Sequence, residues 1–357
     1  MQSTHDIDPI GGDFTQDIVL TEVDDALKAT LRRYSSTLPT SLINIGKTAL
    51  GAAGKVMHWR AVTDSGRVAP IANWPLIVLR GFRAVSSPQD RNDWRRALSA
   101  AVSVEIMVAA TDLIDEWSDG DPSAVISLYG PGQALNTASL MLVMSQQVLV
   151  WAAQEGEERA LPALGALQDL LTEAAVGQHL DMMYEGMGLD EVTPQMSGDM
   201  SEKKAGALIS GALKMGGLMA GASPDVLALL ERFGRRLGGI AQTANDIRDV
   251  LPRSMTGDIS GLPTGNPKTD IGRRKRTLPI VYTLREENDA PNALQLAFGA
   301  PRADDEDDEL LRQVIADVGG IEFAGMALEW YRQDAAEALT ELEALSLGAQ
   351  NELSFLL

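Results

Sequence analysis

The amino-acid sequence predicts an all-α fold, and three observations carry that reading. Strand signals are sparse, because Val, Ile and aromatic residues hardly ever alternate with polar ones, whereas Ala, Leu, Met, Glu and Arg recur at helical spacing. Pro88, Pro122, Pro224 and Pro252 stand near the starts or just past the ends of the periodic runs, where proline breaks no helical hydrogen bond. The chain has 357 residues, 45% of them apolar, enough to bury a large core.

From the N-terminus, apolar periodicity predicts helices at roughly 15–34, 88–118, 131–154, 160–187, 200–221, 224–251, 277–287, 303–317 and 321–346. Shorter ones are expected at roughly 40–58 and 73–86. The whole of 1–357 reads as one domain, with N-terminal helices over 1–60 and the motifs within 60–345. The stretch "RSMTGDISGLPTGNPKTDIGRRKR", 253–276, is rich in Gly, Pro, Ser and Thr before it turns basic, and predicts a loop. The acidic "ADDEDDE" at 303–309 predicts the solvated start of a helix, with no function attached.

Composition removes several function classes. There are no cysteines, so disulfides and thiolate metal sites are excluded. A formal net charge of −20 argues against nucleic acid and anionic membranes as partners, since both need basic surface. "MQSTHDIDPIGGDF" lacks the basic and apolar regions of a secretory signal. The most apolar stretches, such as "ASLMLVMSQQVLVWAA", are interrupted by polar residues and read as too short to span a bilayer. The expectation is a cytoplasmic protein without a membrane span. His5, His58 and His179 have no partner at ligand spacing, so no histidine metal site is expected. No nucleophile elbow, P-loop or dinucleotide fingerprint is present.

Two acidic clusters carry the chemistry. Asp112, Asp115, Glu116 and Asp119 share one helical face, after the apolar "SVEIMVAA". Like charges at the negative end of a helix dipole are doubly unfavourable. Either a frayed, solvated helix end or a divalent cation resolves that, and Mg2+ suits hard carboxylate oxygens shared with phosphate. A second stripe, Gln242, Asn245, Asp246 and Asp249 in "GGIAQTANDIRDV", has the same character. Two apolar, acid-tipped helices facing each other would hold a metal cluster between them.

These residues resemble the trans-isoprenyl diphosphate synthases (the polyprenyl synthetase superfamily) and the class I terpene synthases that share their fold, over roughly 60–345. "EIMVAATDLIDEWSD" is similar to the family's first aspartate-rich helix, with DEWSD for DDxxD. "GQHLDM" at 177–182 matches GQxLD, and "KKAGAL" at 203–208 is similar to KTGAL, with Lys204 at the lysine and Ala205 replacing Thr. "GGIAQTANDIRD" is similar to GxxFQxxDDxxD, with Asn245 replacing the first Asp. "DIGRRKRTLP" at 270–279 matches DLxxGKxTLP, placing Lys275 at the lysine and Thr277 at the threonine.

The resemblance implies an isoprenoid-synthase-type helical bundle around a deep apolar pocket, working as a homodimer. It implies metal ligands at Asp115, Glu116, Asp119, Asn245, Asp246 and Asp249, holding about three Mg2+ (or Mn2+) on an allylic isoprenyl diphosphate. Metal ions and the lysines Lys204 and Lys275 neutralise the departing diphosphate. Asp115, Asp119, Asp246, Lys204 and Lys275 are thus the expected catalytic groups. Gln178, Asp181, Gln242 and Thr277 are expected at the substrate; for Gln178 and Asp181, contact with a diphosphate-bound water, contact with Lys204 and a purely structural hydrogen bond all stay open. Lys275, with Arg273, Arg274 and Arg276, is expected to close with its loop over the diphosphate.

Chain elongation also needs a basic site for isopentenyl diphosphate. Where the family has GGKRLRP this chain reads "PIANWPLIVL", with Ile71 at the lysine and Trp74 at the second arginine. Nearby only Arg67 is basic, the family's His or Gln falls at Val108, and "GDPSAVISLYGPG" lacks the Arg-Arg-Gly that normally follows DDxxD. Losing three charged phosphate contacts should weaken binding on the order of a thousandfold. The departure predicts ionisation of one allylic diphosphate followed by cyclisation or quenching, a terpene synthase reaction. The alternatives are a chain-elongating prenyl diphosphate synthase with an altered isopentenyl diphosphate site, or a non-catalytic subunit of one. Trp74 then either faces the carbocation with its indole or packs in the core. Ala110 and Thr111, five and four residues before Asp115, are small and favour a long prenyl tail. Asp112 is expected as an extra acid behind the metal ligands, as a carboxylate facing the cation, or as a group hydrogen-bonded to a neighbouring helix.

Overall fold

The computed structural model describes residues 16–52, 73–120, 123–256, 270–286, 291–301 and 308–357. Every regular element among them is helical. The order is α1 Gln16–Tyr34, α2 Thr40–Ala52, α3 Trp74–Val85, a 3-10 turn Arg91–Ala97 leading into α4 Leu98–Ser118, α5 Ala124–Tyr129, α6 Pro131–Gln154, α7 Ala160–Glu185 and α8 Pro194–Ser201. A π-turn, Glu202–Gly206, joins α8 to α9 Ala207–Ala220. There follow α10 Pro224–Val250, α11 Arg253–Thr256, α12 Leu278–Leu284, α13 Ala293–Phe298, α14 Asp308–Val318, α15 Gly320–Leu345 and α16 Ala349–Leu353.

Local rules explain the boundaries. Proline occupies the first turn of α3, α6, α8 and α12, where its missing N–H costs nothing. Ser123 and Thr193 cap α5 and α8 with their side-chain oxygens, and Asn292 with Gln295 forms a capping box on α13. The expected helix at 88–118 is kinked at Asp93, a non-helical residue inside the 3-10 turn Arg91–Ala97, and the α-helix proper starts at Leu98.

The chain divides into two compact units. The first contains residues 1–168, 211–231 and 339–356. Its centre is α4, buried on nearly every side from Ala100 to Ala110. Arg91–Ser118 is long and apolar enough to cross a membrane, which the sequence reading overlooked. Of its most apolar window, 72% is buried inside the protein, as a core helix requires. A small apolar pocket lies beside α4, lined by Tyr34, Leu42, Ile106, Thr137, Met141 and Met144 among others. In the same unit Glu352 of α16 receives Arg83 at 2.7 Å and Arg80 at 2.6 Å, tying the last helix to α3.

The second unit contains residues 169–210 and 232–338. One core cluster gathers Val250, Ile271, Ile280, Leu284, Leu294, Phe298, Leu311 and Ile315. A smaller one gathers Tyr184, Val192, Met200 and Val281. Ile271 and Ile280 flank the segment 272–279 and anchor both its ends in the core.

Candidate active site

In the second unit, three segments converge on Asp181. The last turns of α7 carry Gly177, Gln178, Asp181 and Glu185, which share one helical face. A Cβ on Gly177 would meet the Lys204 backbone, with Lys204 Cα 2.7 Å away, so only glycine lets the π-turn approach α7 this closely. That approach brings Lys204 Nζ to 2.9 Å from Asp181 Oδ2. Lys275 comes from the turn after Ile271; its Nζ stands 2.8 Å from the same oxygen and 3.1 Å from Glu185 Oε1. The turn closes with the Lys275 N–H donating to the Asp270 carbonyl at 2.9 Å. Arg274, where the family motif has glycine, adopts a left-handed φ of 61° and lays its guanidinium over the Phe298 ring.

The basic run does not behave as an exposed lid. Lys275 is 4% exposed and Arg276 3%, and Arg276 donates to the Met187 and Arg274 carbonyls. The core residues Ile271 and Ile280 on either side hold this end of the segment inward, and the expected closure of 253–276 concerns a segment of which only the two ends are described. Residues 257–269 lie outside the described part.

Acids gather beside the lysines. Asp246 on α10 is 2% exposed and accepts from Gln242 Nε2 at 2.8 Å. Burial, and then the charge of Asp270, push its carboxyl well above the ordinary carboxylate range. Burial and the neighbouring Asp249 push Asp270 up to about 7, against the pull of Lys275. Burial also raises Asp249, opposed by Arg248, Arg312 and Arg273. At Asp181 burial acts upward, but Lys204 and Lys275 outweigh it and hold the carboxyl below its usual value. Asn245 stands apart from this group: it is exposed and accepts from Arg248. Asp270 and Glu185 are additions the sequence reading missed. Their only signal was Asp270 opening "DIGRRK" and Glu185 following Asp181 by one helical turn.

The donor set fits a divalent ion that is shared with a phosphate. Among the described residues no three acids stand close enough together to hold a metal ion by themselves. Both amide atoms of Gln178 and the hydroxyl of Thr277 are buried without a hydrogen-bond partner, an arrangement that a polar ligand relieves.

The first unit holds the remaining expected residues. Asp112, Asp115, Glu116 and Asp119 lie half-buried along the last turns of α4. Ala110 is fully buried, and Thr111 donates to the Val108 carbonyl at 3.0 Å; neither lines the cavity beside α4. Trp74 is half-buried at the start of α3, Val108 is buried, and Arg67 and Ile71 lie outside the described residues.

An all-helical protein with two lysines on one buried aspartate, beside a strained acidic helix, has the makings of a diphosphate-and-metal site. The polyprenyl synthetase family model matches residues 72–318, and the chain belongs to that family. It is 31% identical over 214 residues to a geranylgeranyl diphosphate synthase of Mycobacterium tuberculosis, an alignment covering 58% of each protein. It is 24% identical over 293 residues to a geranylfarnesyl diphosphate synthase of Aeropyrum pernix, covering 79% of this chain and 87% of that one. In fold it is similar to a polyprenyl synthetase of Streptomyces coelicolor, with a TM-score of 0.73 at 22% identity over 96% of this chain and 98% of that one. A Corynebacterium glutamicum geranylgeranyl pyrophosphate synthase, solved with calcium and isoprenyl diphosphate, gives a TM-score of 0.63 at 22% identity, covering 96% and 98%.

These relatives correct the first functional expectation. They are named as prenyl diphosphate synthases and not as cyclases, so the alternative of chain elongation takes the lead. The cyclase expectation rested on basic and polar groups missing at three places, around Arg67–Trp74, at Val108 and in "GDPSAVISLYGPG".

Proposed function

We propose that this chain is a chain-elongating prenyl diphosphate synthase acting on an allylic isoprenyl diphosphate. The observation that carries the reading is the meeting of Lys204 and Lys275 on Asp181, next to the desolvated acids Asp246, Asp249 and Asp270. The lysines supply positive charge for a diphosphate, and the orphaned Gln178 and Thr277 groups supply polar contacts at its edge. In the second unit, Asp246 and Asp249 are the residues that would hold Mg2+; in the first, Asp115, Glu116 and Asp119 are the acids that spacing singles out for the same chemistry. When bound, the metal supplies Lewis-acid stabilisation of the leaving diphosphate.

A second reading, ionisation without a second substrate, is favoured by one specific observation. Ile71, Trp74 and Val108 replace the expected basic and polar groups, and Arg80 and Arg83 of α3 are committed to Glu352. One assay decides. Purified protein with Mg2+ receives C10 to C25 allylic diphosphates, with and without isopentenyl diphosphate. Chain elongation yields a longer diphosphate only when both substrates are present. Hydrocarbon or alcohol from the allylic substrate alone would establish the second reading, and inertness in both arms would point to a non-catalytic subunit.

A further inference from the structure

We infer that Arg274 is a positioning residue, whose stack on Phe298 takes the place of a glycine's backbone freedom and stiffens the turn that presents Lys275. The inference rests on the functional reading above, in which Lys275 meets the diphosphate, and concerns what fixes that lysine in this chain. The Arg274 N–H donates to the Ile271 carbonyl at 3.1 Å, and the Lys275 N–H to the Asp270 carbonyl at 2.9 Å. A turn closed by that pair of bonds places its fifth residue in the left-handed region, which favours glycine. The chain obeys the rule elsewhere. The same pair of bonds closes turns at Gly156 and Gly221, each with a left-handed φ. Among the described residues Arg274 is the one non-glycine with a positive φ.

Arginine has no short polar side chain to ease that backbone, so the strain is offset by what its guanidinium touches. The guanidinium carbon lies 4.7 Å from the centre of the Phe298 ring. Phe298 is buried at the end of α13, and Gln295 of the same helix donates to the Leu284 and Glu286 carbonyls, which fixes α13 to the end of α12. Arg276, 5.2 Å from the same ring, donates to the Arg274 carbonyl at 3.2 Å. The peptide between Arg274 and Lys275 is thereby held at its oxygen, at its N–H and through a side chain. It sets the direction in which Lys275 leaves the backbone. A glycine there would lose the stack and free the turn, so the cost of ordering it would fall on ligand binding.

Arg274→Gly relieves the backbone and removes the stack. In ligand-free, full-length protein the Lys275 amide should then exchange with solvent about tenfold faster. Calorimetry with Mg2+ and inorganic pyrophosphate should show affinity weakened about threefold to tenfold. The unfolding temperature should hardly move, because strain is relieved as the stack is lost. Phe298→Leu should act alike on affinity, and Arg274→Lys, which keeps a cation over the ring, should recover part of the loss. Because Arg274 acts through Lys275, the effect of Arg274→Gly on affinity should vanish in a Lys275→Met background. Unchanged amide exchange or wild-type affinity in Arg274→Gly, or an equal loss with and without Lys275, would overturn the inference. Wild-type protein that takes up no pyrophosphate with Mg2+ would instead sink the functional reading, and amide exchange would still decide whether the stack holds the turn.

Discussion

Gln242 donates to Asp246 at 2.8 Å, one helical turn apart, and this neutral amide is the bond partner of an acid that is 2% exposed. An amide orients a carboxylate without balancing its charge. Asp246→Asn should therefore lower turnover by about a hundredfold or more, because a metal ligand is lost. The ligand-free protein should unfold at an equal or higher temperature, since a desolvated charge beside Asp270 is removed. A fall of several degrees in differential scanning calorimetry would make Asp246 a structural residue.

Stability should depend on pH in a defined direction. Asp246, Asp249 and Asp270 all have folded-state values above the ordinary 3.8, so the folded state binds more protons than the unfolded one above about pH 4, for Asp270 up to about 7. Their contribution to stability is complete below pH 4 and is lost as pH rises through that window. Mg2+ with pyrophosphate should offset the loss, giving a ligand-induced rise in unfolding temperature that is larger at pH 7.5 than at pH 5. A ligand effect of equal size at both values would contradict the assignment of these acids.

Gly177→Ala places a methyl group against the Lys204 backbone. Separating α7 from the π-turn should cost about 1–3 kcal/mol in urea unfolding. Pyrophosphate binding should weaken as well, because Lys204 is displaced from Asp181. Unchanged stability and unchanged binding together would show that the π-turn adjusts without moving the lysine.

Glu352→Ala tests a contact unrelated to catalysis. It leaves Arg83, whose side chain is 4% exposed, without its carboxylate, and losing one partner of a buried pair costs about 3–5 kcal/mol. Burial raises the Glu352 carboxyl, but Arg83 and Arg80 outweigh that and hold it below the ordinary 4.5. The wild-type contribution is therefore present above that value and lost as pH falls below it. Equal urea midpoints for variant and wild type would mean that α16 is held by apolar contacts alone.

Helices were readable because their signals are local. Proline positions and apolar periodicity marked α6, α7, α10 and α15 to within a few residues. The lysine pair was readable as motif, since Lys204, Lys275 and Asp181 were each named from short patterns. Their meeting at one oxygen depends on Gly177 and a π-turn, which no local pattern announces. The burial of Lys275 was not legible in "RRKR", because it follows from Ile271 and Ile280, which draw the backbone on either side into the core. Asn245 sits at the edge of the 242–249 stripe, where a small helical rotation turns a side chain outward to Arg248. Asp270 went unweighed because its carboxyl is raised by burial and then by Asp249, and both come from segments distant in sequence.

The central claim is that this chain's acids and lysines heterolyse an allylic diphosphate with the help of a divalent ion. Its most direct test is inorganic diphosphate release from an allylic substrate plus isopentenyl diphosphate, followed while Mg2+ is titrated and then removed with a chelator. Release that rises with Mg2+, stops with the chelator and fails in Lys275→Met is the predicted result. Release indifferent to Mg2+, or none from any allylic substrate at saturating metal, would contradict it.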